Sequence, residues 1–117
     1  MLLNGLLMIT GGCYKGQLCL RSNVTEIVNL STGETWFAGN LNVPRSGFGL
    51  SLIKIGSKLR LIAFGGTTFG QENYLDSIEM FDEASQTWKV TTMKLQQKRR
   101  DFGYLGFSSR FEFNLAN

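Results

Sequence analysis

Apolar residues in this chain fall into short runs cut by glycine, and no run keeps the three-to-four-residue spacing of a helix. The clearest series begins at residue 48. Residues 48–55 form an apolar run that stops at Gly56-Ser57, a two-residue hairpin signal. Residues 59–64 follow as a second strand, apolar enough to be buried on both faces, and Gly65-Gly66 ends it. Residues 67–72 are polar and read as a loop that supplies no ladder or core contacts. Residues 74–81 make a third strand. Residues 82–86 are a turn rich in side chains that bond their own backbone, and residues 87–90 are a short fourth strand. The pattern predicts four antiparallel strands in succession, an all-β unit.

The same series occurs twice. The run ending at Gly11-Gly12 matches the one ending at Gly65-Gly66, 54 residues on. Glu26-Ile27-Val28-Asn29 matches Glu79-Met80-Phe81-Asp82, and Thr35-Trp36 matches Thr87-Trp88. Arg45, before Phe48-Gly49, matches Arg99, before Phe102-Gly103. The first copy's turn before its tryptophan is one residue longer than the second's. Counting back from Gly56 by the same interval reaches residue 2, which predicts that the chain opens at its first hairpin turn and lacks a proper first inner strand. The expected organisation is a partial repeat over residues 1–44, a complete repeat over 45–98 and the start of a further one over 99–117.

Composition narrows the chemistry. The chain has 117 residues, 43% of them hydrophobic, which is enough to build a core. It has no histidine, which removes Ser-His-Asp and Cys-His catalysis and histidine-based metal sites. Two cysteines cannot form a four-thiolate zinc site. The net charge of +3 is spread along the chain rather than gathered in a patch, which argues against nucleic acid as a partner. No stretch is long and apolar enough for a membrane span. Residues 1–9 are apolar but lack a basic start and are interrupted by Asn4-Gly5, so a buried strand accounts for them better than a signal peptide. No cofactor is implied.

Taken together, Gly65-Gly66, Glu79 to Asp82, Trp88 and Arg99, with Gly11-Gly12, Glu26 to Asn29, Trp36 and Arg45 in the other copy, resemble the kelch repeat. The resemblance covers about residues 6–106. It implies four-stranded antiparallel blades of a β-propeller, about two of them, so that further blades are needed for closure. The chain is then expected to be a fragment or partial product whose open sheet edges favour self-association. The first copy departs from the family in having Val28 where an aromatic is usual.

The resemblance places Trp36 and Trp88 at the starts of outer strands, packing between blades rather than stacking on a ligand. It makes Arg45 and Arg99 blade-signature residues before they are ligand contacts. The Gly-Gly pairs end strands; no helix or Lys-Ser/Thr follows to make a phosphate cradle. The function implied is a non-enzymatic protein-interaction module, an adaptor or scaffold. Candidate contacts lie in loops 13–23, 39–44, 67–73 and 94–97, with Lys15, Thr67, Gln71, Glu72, Lys98 and Arg100 as candidate contact residues. The cluster Lys94, Lys98, Arg99, Arg100 is a solvated basic loop suited to an acidic protein surface. The alternatives are a fragment of a kelch-type enzyme, such as a copper oxidase or a sugar isomerase, and a truncated product without function. The copper oxidases use histidine ligands that this chain lacks.

Cys13 and Cys19 flank a short loop and would reach disulfide distance if it folds back as a hairpin. Asn23-Val24-Thr25 and Asn29-Leu30-Ser31 match the glycosylation acceptor pattern. These features lean towards a secreted protein and leave a cytoplasmic one open.

Overall fold

The computed structural model describes residues 2–3, 5–14, 20–68 and 73–103. They form two four-stranded antiparallel sheets and a two-stranded hairpin, with no helix among the described residues. The first blade has the strand order β1 (Leu2–Leu3), β2 (Leu6–Thr10), β5 (Thr25–Asn29), β6 (Thr35–Ala38). The second runs β7 (Gly49–Ile55), β8 (Lys58–Phe64), β9 (Ser77–Asp82), β10 (Thr87–Lys94). Between β2 and β5 the chain makes the small hairpin of β3 (Cys13–Tyr14) and β4 (Leu20–Arg21).

Several boundaries differ from the sequence reading. The first hairpin turn is at Gly5, with φ of 76°, not at residue 2, and Leu2 and Leu3 pair with Leu7 and Leu6 as a stub of inner strand. The reason is strand length: β2 has five residues and β8 has seven, so an interval measured at the Gly-Gly pairs overshoots at the turn. Strand β9 starts at Ser77 rather than residue 74, and β10 continues to Lys94 through a register shift after Val90. Strand β8 is not buried on both faces. Leu61 and Ala63 are buried, whereas Ile62 and Phe64 are half-buried, the alternation expected of a sheet whose two faces meet different surroundings.

The core lies between the blades. Along each strand successive side chains point to opposite faces. The rows Met8–Ile27–Trp36 and Thr10–Thr25–Ala38 of the first blade therefore meet the rows Leu52–Leu61–Phe81–Trp88 and Leu50–Ala63–Glu79 of the second. Met8, Ile27, Leu41, Leu61, Ala63, Phe81 and Trp88 are the buried apolar residues. The Phe81 and Trp88 rings are 5.0 Å apart and tilted by 59°, a favourable aromatic geometry. Trp88 Nε1–H donates to the buried Thr25 Oγ1 at 3.0 Å, and Thr25 Oγ1 lies 2.7 Å from Thr10 Oγ1. The largest apolar side chain of the second blade is thus tied by its polar end to the first.

Trp36 is not the structural counterpart of Trp88. Trp88 stands opposite Phe81, but Trp36 stands opposite Ile27, and Thr35 takes the place opposite Val28. The turns are equally long between paired positions, so the first copy's extra residue falls in the outer strand and shifts Trp36 and the residues after it by one position, which turns their side chains to the other face. Trp36 still packs between the blades, from the first blade's side, with Nε1–H donating to Gln86 Oε1 at 3.3 Å. Both tryptophans therefore serve one junction. The slip leaves Phe37 on the first blade's outward face, 74% exposed.

Candidate interaction face

Registers place the long connections on one edge of both sheets. Thr10, Thr25 and Ala38 are cross-strand neighbours, as are Gly49, Phe64 and Ile78, with Lys94 opposite Ser77. The segments 39–48 and 95–101 and the described parts of segments 11–24 and 65–76 leave from that edge, while the tight turns at Gly5, 30–34, 56–57 and 83–86 lie at the other.

A repeated backbone lattice holds this edge. Gly12 N–H donates to Arg45 O and Arg45 N–H to Ser22 O; fifty-odd residues on, Gly66 N–H donates to Arg99 O and Arg99 N–H to Leu75 O. Leu41 N–H to Asn23 O is matched by Leu95 N–H to Asp76 O. The glycine pairs are required by this close approach. Gly11 and Gly65 have φ of 68° and 69°, and a Cβ on either would run into a backbone oxygen, that of Arg45 or Arg99, and into the ring of Phe48 or Phe102.

Arg45 and Glu79 are fully buried at this edge and form an ion pair of 2.8 Å. Arg45 Nη1 donates to Gly65 O and Ser77 O, and Nη2 donates to Ser77 Oγ and Glu79 Oε2. Glu79 also accepts from Asn42 N and Nδ2 at Oε1 and from Val43 N at Oε2. Asn42 Nδ2 reaches Trp88 O at 2.8 Å as well. Burial lowers the Arg45 pKa from its ordinary value, and the hydrogen bond and charge of Glu79 oppose that shift; a guanidinium starts so high that it stays charged. The pair fastens the connection between the blades into the second blade. The connection 39–44, expected as a contact loop, is therefore partly structural: Leu41 is buried, and Asn42, though exposed, turns its backbone N–H and Nδ2 to Glu79 and Trp88 O.

A second tie joins the connections to one another. Arg21 Nε donates to Ser46 Oγ at 3.2 Å, and Nη2 donates to Thr67 Oγ1 at 3.2 Å. Ser46 and Thr67 exchange backbone hydrogen bonds of 3.0 and 2.9 Å, and Thr67 also bridges to Tyr74. This corrects the expectation that residues 67–72 make no ladder contacts. Thr67 is 2% exposed, a joint between connections rather than an open contact. Arg21 and Ser46 were not singled out by sequence, because a lone arginine and a lone serine carry no spacing that points to each other.

Of the other candidate residues, Lys98 and Arg100 are exposed on the last connection. The Arg100 guanidinium lies 5.2 Å from the centre of the Tyr74 ring and 3.6 Å from Asp101. Lys15, Gln71 and Glu72 lie outside the described residues. So does Cys19, and with it the suggested bridge; Cys13 is not a free thiol. Asn23 is half-buried beside the buried Thr25 of its acceptor pattern. Asn29 Oδ1 accepts from the backbone N–H of Ser31 and Thr32, closing its turn. Asp82 caps the other tight turn: Ser85 Oγ donates to its Oδ2 at 2.7 Å and holds its carboxyl below the usual range. Among the described residues no group of three or more acidic or cysteine side chains is placed to hold a metal, and no helix is long and apolar enough to cross a membrane.

No curated protein matches the chain. Residues 58–92 match the family model described as the Kelch motif, from the start of β8, through Gly65-Gly66 and Glu79, into the outer strand beyond Trp88. The second blade therefore carries a kelch motif over residues 58–92, and the first blade repeats its hydrogen-bond lattice.

Proposed function

We propose that this chain is a non-enzymatic adaptor or scaffold whose contact surface is the edge carrying segments 11–24, 39–48, 65–76 and 95–101. A kelch motif suggests a protein-interaction module in general. The single observation that supports a site on this edge is the convergence there of all the long connections, anchored by the Arg45–Glu79 pair and by the Arg21–Ser46–Thr67 tie. Loops fixed at their roots lose little conformational freedom on binding, so more of the contact energy appears as affinity. Lys98 and Arg100 give the last connection a basic surface, and the stacking of Arg100 on Tyr74 restrains one of these charges. The partner this surface suits is an acidic protein segment.

The test is a binding measurement against an acidic protein partner captured with the chain. Lys98→Glu with Arg100→Glu is expected to slow association by about tenfold or more at low salt, with the effect shrinking as salt rises. The circular dichroism spectrum should stay unchanged. Unaltered association by the folded variant would remove the basic connection from the contact surface.

A further inference from the structure

We infer that two copies of this chain join head to tail, the exposed Arg99 of one copy pairing with Glu26 of the next as Arg45 pairs with Glu79 within the chain. The inference is independent of the partner proposed above. It rests on a junction that the chain forms once and carries the two unmatched halves of a second time.

The formed junction has three parts. An arginine whose main chain is locked to the Gly-Gly turn sends its guanidinium into the adjoining blade. A glutamate on the third strand of that blade receives it. Apolar rows on either side close over the pair.

Arg99 meets the first condition. Its backbone makes the same two hydrogen bonds as Arg45, to Gly66 and Leu75, and Phe102 is seated beyond it against Phe64, with ring centres 5.7 Å apart. Its side chain is exposed and makes only a 3.2 Å bond to the neighbouring Gln97.

Glu26 meets the second. It stands opposite Ile9 and Phe37 as Glu79 stands opposite Ala63 and Val90, on the face of the first blade turned away from the second. Among the described residues no ion pair or side-chain hydrogen bond engages it.

The apolar rows are also there. The first blade's outward face carries Leu7, Val28, Ile9 and Phe37, the last two 52% and 74% exposed. The second blade's outward face carries Ile62, Ile78 and Met80, half-buried. These two faces have the registers of the two that meet in the internal junction, and they bear the two charges needed. Contact of unlike faces propagates from copy to copy and closes only if the rotation per copy allows.

The test is sedimentation velocity of the 117-residue chain over a hundredfold range of concentration. The chain should pass from monomer to one discrete larger species. Glu26→Arg alone and Arg99→Glu alone should each weaken assembly about a hundredfold or more. An equimolar mixture of the two variants should restore it, because each then offers the charge that the other lacks. Phe37→Glu, at an exposed position away from the charges, should also give monomers with an unchanged circular dichroism spectrum. A chain monomeric at all concentrations would overturn the proposal. So would single variants that assemble like the parent, or a mixture that stays monomeric while both variants are folded.

Discussion

Arg45 and Arg99 each stand three residues before a Phe-Gly pair and make matching backbone hydrogen bonds, yet one is fully buried and the other lies in solvent. What differs is the blade beyond. Arg45 has β9 with Glu79 in front of it, whereas Arg99 points past the second blade, to a face that no described strand covers. The comparison separates two roles of one motif. Its main chain organises the connection wherever it occurs, and its side chain becomes a fastening only when a blade with a glutamate arrives. A buried ion pair adds little net stability over a well-packed apolar pair, but half of one is severely destabilising. Such a pair therefore selects the correct neighbour more than it strengthens the joint.

The sharpest way to break the comparison is to remove each arginine in turn. Arg45→Met leaves Glu79 buried without its cation and should cost about 3–5 kcal/mol, a large part of a small domain's stability. Arg99→Met, at a dilution where the chain is monomeric, should fall within about 0.5 kcal/mol of the parent, as exposed positions do. Urea denaturation followed by tryptophan fluorescence measures both. Similar losses at the two sites would mean that burial of the guanidinium does not distinguish them.

The tryptophans sharpen the same contrast at a smaller scale. Trp88→Ala removes a buried ring and the donor to Thr25, with an expected loss of about 3–5 kcal/mol. Trp36→Ala, from a half-buried ring at the rim of the same junction, should lose about 1–2 kcal/mol. Differential scanning calorimetry would show the order, and a reversed order would refute the register slip that separates them.

Smallest is the acid response of the outer turn. The Asp82 pKa is lowered in the folded chain, first of all by the Ser85 hydroxyl. A group whose folded pKa lies below its unfolded value stabilises the fold above the unfolded pKa, near 4, and loses that contribution as the pH falls through the folded value. Ser85→Ala should therefore leave stability at neutral pH lower by a small amount and flatten its decline on acidification. Thermal melts between neutral pH and about pH 3 would check this; an unchanged acid limb would show that the hydroxyl does not hold the carboxylate.

How far the sequence told this in advance depends on the kind of signal. Strands and turns were legible because short apolar runs and glycine breaks are local, and the second blade's elements came out within a few residues. The Gly-Gly, Glu and Arg positions were legible only as a repeated pattern. That Arg45 and Glu79 form a buried pair, with Asn42 and Val43 feeding it, depends on a contact across more than thirty residues, which no local spacing reports. Trp36 is the instructive failure. The longer turn before it was visible in sequence, and a single added residue in a strand with period two must change the face of every side chain beyond it. Aligning Trp36 with Trp88 by identity hid a consequence that counting from Glu26 and Glu79 exposes. Thr67 was misplaced for a different reason: a polar residue after Gly-Gly reads as solvent-facing loop, whereas here it is buried by its bridges to Ser46 and Tyr74.

The claim on which the rest depends is that Arg45 and Glu79 act as one fastening between the blades. A double-mutant cycle with Arg45→Met and Glu79→Leu, read as urea stability, tests it most directly. The account predicts that either single substitution is far more destabilising than the two together, with a coupling of about 2–3 kcal/mol. Additive losses, agreeing within about 0.5 kcal/mol, would show that the two side chains contribute separately and would contradict it.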